Sequence, residues 1–384
     1  MRFEFATANR IVFGEGTIQE LAPAAASLGR KALLVVGKSG RRSADIRQRL
    51  IGAGMQVEQL HVPGEPTLQL VTDGLQVARS QECDLVIAVG GGSSIDAGKA
   101  IAALTPNSGG ILDYLEVVGN GQPLQMPSLP VIAAPTTAGT GSEATRNAVL
   151  NVPDAKVKVS LRHQSMLPRL AIVDPELTYD LPPEVTGASG LDALSQLIEP
   201  YVSIAANPIT DVLCREGIQL AARSIRPACQ DGSNRDARAD MSLAALFSGM
   251  TLTNAKAGAV HGFAGPIGGL FPAPHGAICG ELLPFVMEAN LAALQQRGAP
   301  SSILERFDEV GRWLTASEDA RADDGIVWLR QLCTDLNIPT LRAYGLGEAD
   351  FPQIVALAQQ SSSMKGNPIV LTEDELTGIL QEAL

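Results

Sequence analysis

The chain is short of aromatic residues, of histidine and of positive charge, and each shortage narrows what it can be. Aromatics make up 4% of its 384 residues, whereas glycine alone numbers 38. Such a composition suits closely packed α/β layers and helix bundles, and the length is enough for two domains with real cores. Lysine and arginine total 29 against 41 aspartates and glutamates, a formal net charge of −12. An acidic balance argues against nucleic acid or an anionic membrane surface as partner and favours an enzyme of small molecules. A phosphate-bearing ligand would then depend on local dipoles and a few local cations. Cys83, Cys214, Cys229, Cys279 and Cys333 form no Cys-x-x-Cys pair. An odd, scattered set is a poor disulfide framework, so reduced cysteines in a cytoplasmic protein are expected. The opening Met1-Arg2-Phe3-Glu4-Phe5 lacks the apolar core of a signal peptide. No apolar run is read as approaching the length of a bilayer span, so no membrane role is expected.

What is present alternates. Ala32–Val36, Val57–Val62, Leu85–Val89, Leu129–Ala134 and Leu170–Val173 are short apolar runs separated by helical stretches. Strands apolar on both faces imply a Rossmann-like parallel sheet with helices on either side. Past Leu181-Pro182-Pro183 such runs nearly vanish, and helical periodicity follows in Leu191–Val202, Ile209–Ile225 and Arg238–Asn254. The expected organisation is an α/β dinucleotide-binding domain over 1–180 and an all-α catalytic domain over 181–384.

Two loops of the first half suit a dinucleotide. Gly90, Gly91, Gly92 and Ser93 leave a strand and open a helix. Glycine lets the backbone approach a pyrophosphate, and the helix start offers free N–H groups. The spacing is not the Gly-x-Gly-x-x-Gly fingerprint. Pro135–Glu143 also follows a strand, and Thr136, Thr137, Thr140 and Ser142 bring hydroxyls suited to a ribose, phosphate or amide. After the first apolar run stand Gly37, Lys38, Ser39, Gly40, Arg41 and Arg42. No carboxylate there repels a 2′-phosphate, so Gly37, Ser39, Arg41 and Arg42 favour NADP over NAD.

The second half holds two of only four histidines, His261 and His275, in one glycine-rich stretch. With Asp192 on a helix they make a three-ligand divalent site with a position open to substrate. Together, the halves suggest metal-assisted hydride transfer with a nicotinamide cofactor. His61 and His163 are expected to be solvent-facing or satisfied by hydrogen bonds.

These motifs resemble, over nearly the whole chain, the iron-containing (group III) alcohol dehydrogenase family, which includes glycerol dehydrogenase and is related to dehydroquinate synthase. The resemblance is carried by Ile11–Gly16, the Gly90–Ser93 loop with Asp96 and Lys99, Pro135–Glu143, Val173–Leu177, Gly190–Leu194, the two histidine stretches and Asn367-Pro368. It implies a dehydroquinate synthase-like fold and NAD(P)-linked interconversion of a small alcohol and its aldehyde. It adds Asp96 to the cofactor loop, and it adds Lys158 as a cofactor-binding and catalytic lysine. Homodimers or larger homo-oligomers are expected.

The family binds its metal through one aspartate and three histidines, the first two ligands four residues apart on one helix. Asp192, His261 and His275 match three of these, but Gln196 stands where a histidine is expected. Gln196 could offer a weak carbonyl ligand or a water-mediated contact. The set then resembles glycerol dehydrogenase, whose zinc is held by one aspartate and two histidines, and it weakens the case for iron. Gly265 occupies the place of a proton-relaying histidine, and Gly262, Phe263, Phe271 and Pro272 suggest an apolar substrate pocket. Two other readings stay open: a metal-free keto-acid reductase resembling maleylacetate reductase, and a dinucleotide-binding protein that has lost catalysis.

Overall fold

The structure is a computed structural model describing residues 2–37, 40–115 and 117–384, with the side chains of 40–42 also outside the description. The chain divides into two compact units. One is Ala6–Thr137 with Gly141–Thr178. The other is Tyr179–Leu384 with Ala138–Thr140 and a short N-terminal stretch ending at Phe5.

The first unit contains strands β1 (Ile11–Phe13), β2 (Lys31–Val36), β3 (Gln56–His61), β4 (Leu85–Gly90), β5 (Val131–Pro135), β6 (Asn147–Val152), β7 (Val157–Arg162) and β8 (Leu170–Val173). Six of them form one sheet in the order β1-β8-β5-β4-β2-β3, with every pairing parallel. Its helices are α1 (Leu21–Leu28), α2 (Gly40–Gly52), α3 (Leu68–Ser80), α4 (Gly92–Leu104) and the short α5 (Ile111–Tyr114). Successive strand residues point to opposite faces. Leu33, Val35, Val86 and Ala88 therefore enter a core with Val71, Leu75 and Ile101 of α3 and α4. Ala32, Leu34, Leu85 and Ile87 enter another with Leu21, Ile46 and Leu50 of α1 and α2. Burial on both faces is why the runs had to be apolar throughout.

All five apolar runs fall in this sheet. Two elements were not anticipated. One is β1, three residues that complete the sheet edge against β8. The other is the antiparallel β6–β7 hairpin, whose Ala148, Leu150, Val159 and Leu161 join the α3–α4 core. The alternation from Val157 to Arg162 is the signal that marks a half-buried strand.

The second unit is helical: α6 (Pro183–Val202), α7 (Pro208–Gln230), α8 (Arg235–Asn254), α9 (Ala259–Leu270), α10 (His275–Gln296), α11 (Ser301–Thr315), α12 (Ala322–Asp335), α13 (Phe351–Gln360) and α14 (Glu373–Glu382). Helix α6 is buried at every residue from Gly190 to Val202. It can be, because small residues admit its neighbours. A Cβ on Gly276 would fall 2.1 Å from Ala188 O, and one on Gly280 would fall 2.5 Å from Leu191 Cδ1. These two glycines, one turn apart on α10, let α6 and α10 pack backbone to backbone.

Helix α10 corrects one expectation. It is 22 residues long and apolar enough to cross a membrane by length and composition, with 78% of the qualifying window buried inside the protein. Its apolarity serves the core of the helical unit.

Candidate functional site

The residues singled out for a dinucleotide gather at the carboxyl ends of three adjacent strands. Gly37 follows β2, Gly90 ends β4, and Thr136 and Thr137 follow β5. Val36 aligns with Val89, and Gly90 with Pro135, so the three ends are level. Thr136 N donates to Gly90 O at 2.9 Å. A Cβ on Gly90 would collide with Ser94 Oγ at 2.4 Å, one on Gly37 would sit 3.3 Å from the same atom, and one on Gly91 3.3 Å from Thr137 Cγ2. Gly91 is the N-cap of the thirteen-residue α4 and has no side chain to cap its first amides. Gly92 and Ser93 open that helix, half-buried. The result is a cradle of close backbone with a helix N-terminus aimed into it, which suits a pyrophosphate. Ser39, Arg41 and Arg42 lie outside the described residues and side chains.

Beneath the cradle lies a buried polar cluster. Lys99 is fully buried, and its Nζ donates to Thr145 Oγ1 at 2.8 Å and to Ser142 O at 2.9 Å. It also pairs with Asp96 Oδ1 at 3.2 Å. Burial pushes the Lys99 ammonium pKa down, against the charges of Asp96 and Glu143. Burial also pushes Glu143 up to about 7, against a backbone N–H and Lys99. Asp96, expected at the cofactor, spends its carboxylate on Lys99, on Ser142 Oγ and on Val149 N at 2.9 Å. It ties α4 to β6 and to the loop that carries Ser142. Lys158 sits on β7 and pairs with Glu65 Oε1 at 2.5 Å. Thr140 belongs to the segment grouped with the helical unit.

In the helical unit, Asp192 on α6, His261 on α9 and His275 on α10 converge. Their ligand atoms and the Cys279 thiol lie within 4.8 Å of one another. Asp192 Oδ1 is 3.5 Å from His261 Nε2 and 3.7 Å from His275 Nε2. Cys279 Sγ is 3.6 Å from His275 Nε2 and 4.0 Å from His261 Nε2. The Asp192 side chain is 3% exposed, yet its Oδ1 has no hydrogen-bond partner among the described residues. A buried, unpaired carboxylate oxygen facing two imidazoles is costly unless a cation joins it. The donor set therefore fits a divalent metal ion. His275, 35% exposed against 9% for His261, marks the open side.

The electrostatics agree. Burial alone would raise the Asp192 and Cys279 pKa values, but the imidazoles of His275 and His261 bring both below their ordinary values. Burial alone would lower both histidines. Cys279 and Glu199 nonetheless carry His261 well above its ordinary value, and Cys279 and Asp192 raise His275.

Three supporting residues were not anticipated. Glu199, two turns after Asp192 on α6, accepts from His261 Nδ1 through Oε2 at 2.6 Å and from Val260 N through Oε1 at 2.7 Å. It caps the start of α9 and turns His261 Nε2 to the cluster, the usual way a carboxylate orients a ligating histidine. Asn367 Oδ1 accepts from Ala259 N at 3.1 Å and from Asn290 Nδ2 at the same distance. Cys279, expected only as one of five reduced thiols, stands four residues after His275, and that helical spacing is its signal in the sequence. Gln196, one turn after Asp192 on α6, is buried with its Oε1 3.5 Å from Ser248 Oγ. Phe263, expected to line a pocket, is fully buried in the helical core. His61 bonds Gln59, and His163 Nδ1 bonds Ser165, as expected of satisfied histidines.

The chain belongs to the iron-containing alcohol dehydrogenase family. The family's profile for iron-containing alcohol dehydrogenase matches residues 8–175, and that for its C-terminal region matches 186–384. The chain is 36% identical to 1,3-propanediol dehydrogenase of Klebsiella pneumoniae over 389 residues, covering 99% of this chain and 98% of that protein. A crystal structure of 1,3-propanediol oxidoreductase matches with a TM-score of 0.92 and 34% identity, over 100% of both chains. Sulfoacetaldehyde reductase from Bifidobacterium kashiwanohense, solved in complex with NAD+, matches at 0.87 and 28% identity, over 100% of this chain and 99% of that one. The protein is thus an oxidoreductase of the alcohol dehydrogenase kind.

Proposed function

We propose that this chain is a divalent-metal-dependent, NAD(P)-linked alcohol dehydrogenase interconverting a small alcohol and its aldehyde. The observation that carries the reading is the unpaired, buried Asp192 Oδ1 facing His261 and His275. These residues would hold the ion, which supplies Lewis acidity that lowers an alcohol's pKa or polarises a carbonyl. A bound nicotinamide would supply the hydride chemistry.

The chain's own residues do the rest. Gly90 and Gly91 let backbone approach a pyrophosphate, and the α4 N-terminus stabilises its charge. Glu199 keeps His261 Nδ1 occupied, so Nε2 alone faces the cluster. A Cβ on Gly265, one turn after His261, would meet nothing within 4 Å. That open space would admit water where the resemblance implies a proton-relaying histidine. The absence of a carboxylate at Gly37 favours NADP, while the NAD+ bound by the sulfoacetaldehyde reductase keeps NAD as the second cofactor to assay.

The test is elemental analysis of the purified protein beside NADPH and NADH oxidation with a panel of aldehydes. Bound divalent metal, aldehyde-dependent oxidation, and loss of both in His261→Ala are expected. Full turnover by a metal-stripped protein would replace this reading with that of a metal-free reductase. Dinucleotide binding with no turnover on any substrate would leave a binding protein.

A further inference from the structure

We infer that the Cys279 thiolate is the fourth protein ligand of this centre, with substrate joining as a fifth on the side that His275 exposes, and that the resulting donor set selects zinc over iron. The inference rests on the proposed metal role of Asp192, His261 and His275.

Geometry carries it. Zinc bonds of about 2.0–2.1 Å to nitrogen or oxygen and about 2.3 Å to sulfur, spread tetrahedrally, put neighbouring donors about 3.3–3.6 Å apart. Four of the six donor–donor distances are 3.5, 3.7, 3.6 and 4.0 Å, within a few tenths of an ångström of that figure, and the other two lie within 4.8 Å. A thiol bonded to an imidazole would satisfy Cys279 and one histidine, yet it would leave Asp192 Oδ1 unpaired. A single cation satisfies all four groups.

The competing donor is the weaker one: Gln196 offers a neutral amide oxygen, 3.5 Å from Ser248 Oγ, where Cys279 offers a soft thiolate. Cys279 is fully buried and lies on the same face of α10 as His275, one turn on. Gly276 and Gly280 bring that helix onto α6, and the Cys279 sulfur lies within 4.8 Å of the Asp192 carboxylate. On ligation the thiol releases its proton to solvent. A soft thiolate beside imidazoles favours zinc, and the general order of divalent affinities already sets Fe(II) below it.

Cobalt(II) is the probe. The purified protein is stripped with a chelator and titrated with cobalt, and its spectrum is compared with those of Cys279→Ser and His261→Ala. Wild type should take up one equivalent with an intense near-ultraviolet sulfur-to-cobalt charge-transfer band. Cys279→Ser should bind cobalt without that band, and its zinc affinity by chelator competition should fall on the order of 100-fold, with a smaller loss for Fe(II). Should that variant misfold, peptide-mapped alkylation of wild type decides: Cys279 should be protected by zinc and reactive without it.

One cobalt bound without the band, or equal alkylation with and without zinc, would overturn the thiolate ligand and leave the three-residue metal site standing. A band that survives in Cys279→Ser would also overturn it. Failure of wild type to bind any divalent ion would remove the metal reading and this inference together.

Discussion

Glu199 Oε2 and His261 Nδ1 lie 2.6 Å apart, and the second oxygen of that carboxylate caps Val260 N at 2.7 Å. Glu199 and Asp192 are seven residues apart on α6, hence on one face. One helix therefore supplies both a candidate ligand and the group that aims another. Their shared burial makes the arrangement stiff, because neither carboxylate can turn to water.

Removing the holder should be costly. Glu199→Ala is expected to weaken zinc binding about 10–100-fold by chelator competition, as loss of such outer partners does elsewhere. Glu199→Gln keeps one acceptor and should lose less. Unchanged affinity in the alanine variant would mean that packing alone positions His261.

The α6–α10 approach can be tested by one methyl group. Gly276→Ala places a Cβ 2.1 Å from Ala188 O, so the helices must part. A loss of about 1–3 kcal/mol in stability is expected, with weaker metal binding because His275 and Cys279 ride on α10. Gly265→Ala, inside α9 and meeting nothing within 4 Å, is the control and should gain about 0.5–1 kcal/mol rather than lose stability.

The cluster under the cofactor cradle is predicted to be structural and to act on the dinucleotide at one remove. Lys99→Met removes a buried ammonium from Asp96, Ser142 and Thr145. Breaking a buried pair in this way costs about 3–5 kcal/mol. Denaturant melts should show that loss, and dinucleotide titration should show weaker binding. A melt like the wild type's would show that the loop holds without it.

Glu143 gives a pH signature. Its folded pKa is about 7, above the ordinary 4.5, so the folded chain holds a proton that the unfolded chain gives up. The stability that accompanies the neutral form is complete below about pH 4.5 and is lost as pH rises through 7. Glu143→Gln stays neutral throughout. Its advantage over wild type should therefore grow from near zero at about pH 4.5 to at most about 3 kcal/mol near pH 8. Thermal melts at the two pH values measure the difference, and a constant difference would show that Glu143 is ionised when folded.

Much of this was legible in the residue order. Five apolar runs declared a parallel sheet because strands buried on both faces cannot alternate, and all five are in it. The glycines at Gly37, Gly90 and Gly91 declared a close backbone approach. The histidine count was informative because two of four stood near one another. Less legible were the hairpin β6–β7, whose half-polar strands lack a continuous apolar run, and Cys279, whose only signal is its spacing four residues after His275. Asp96 reads as a cofactor residue, and its bonds to Lys99, Ser142 and Val149, up to 53 residues away, are not legible in the residue order.

By itself the sequence determined the local terms: where the chain is apolar on both faces, where glycine frees the backbone, and where helices begin. These follow from side-chain size, period and charge, which need no distant partner. Tertiary structure alone decided which donors meet. His261, His275 and Asp192 come from three helices, and the packing of α10 on α6 through Gly276 and Gly280 brings the Cys279 sulfur to them. A donor set is a matter of distances between segments remote in sequence, and those distances exist only once the core has closed.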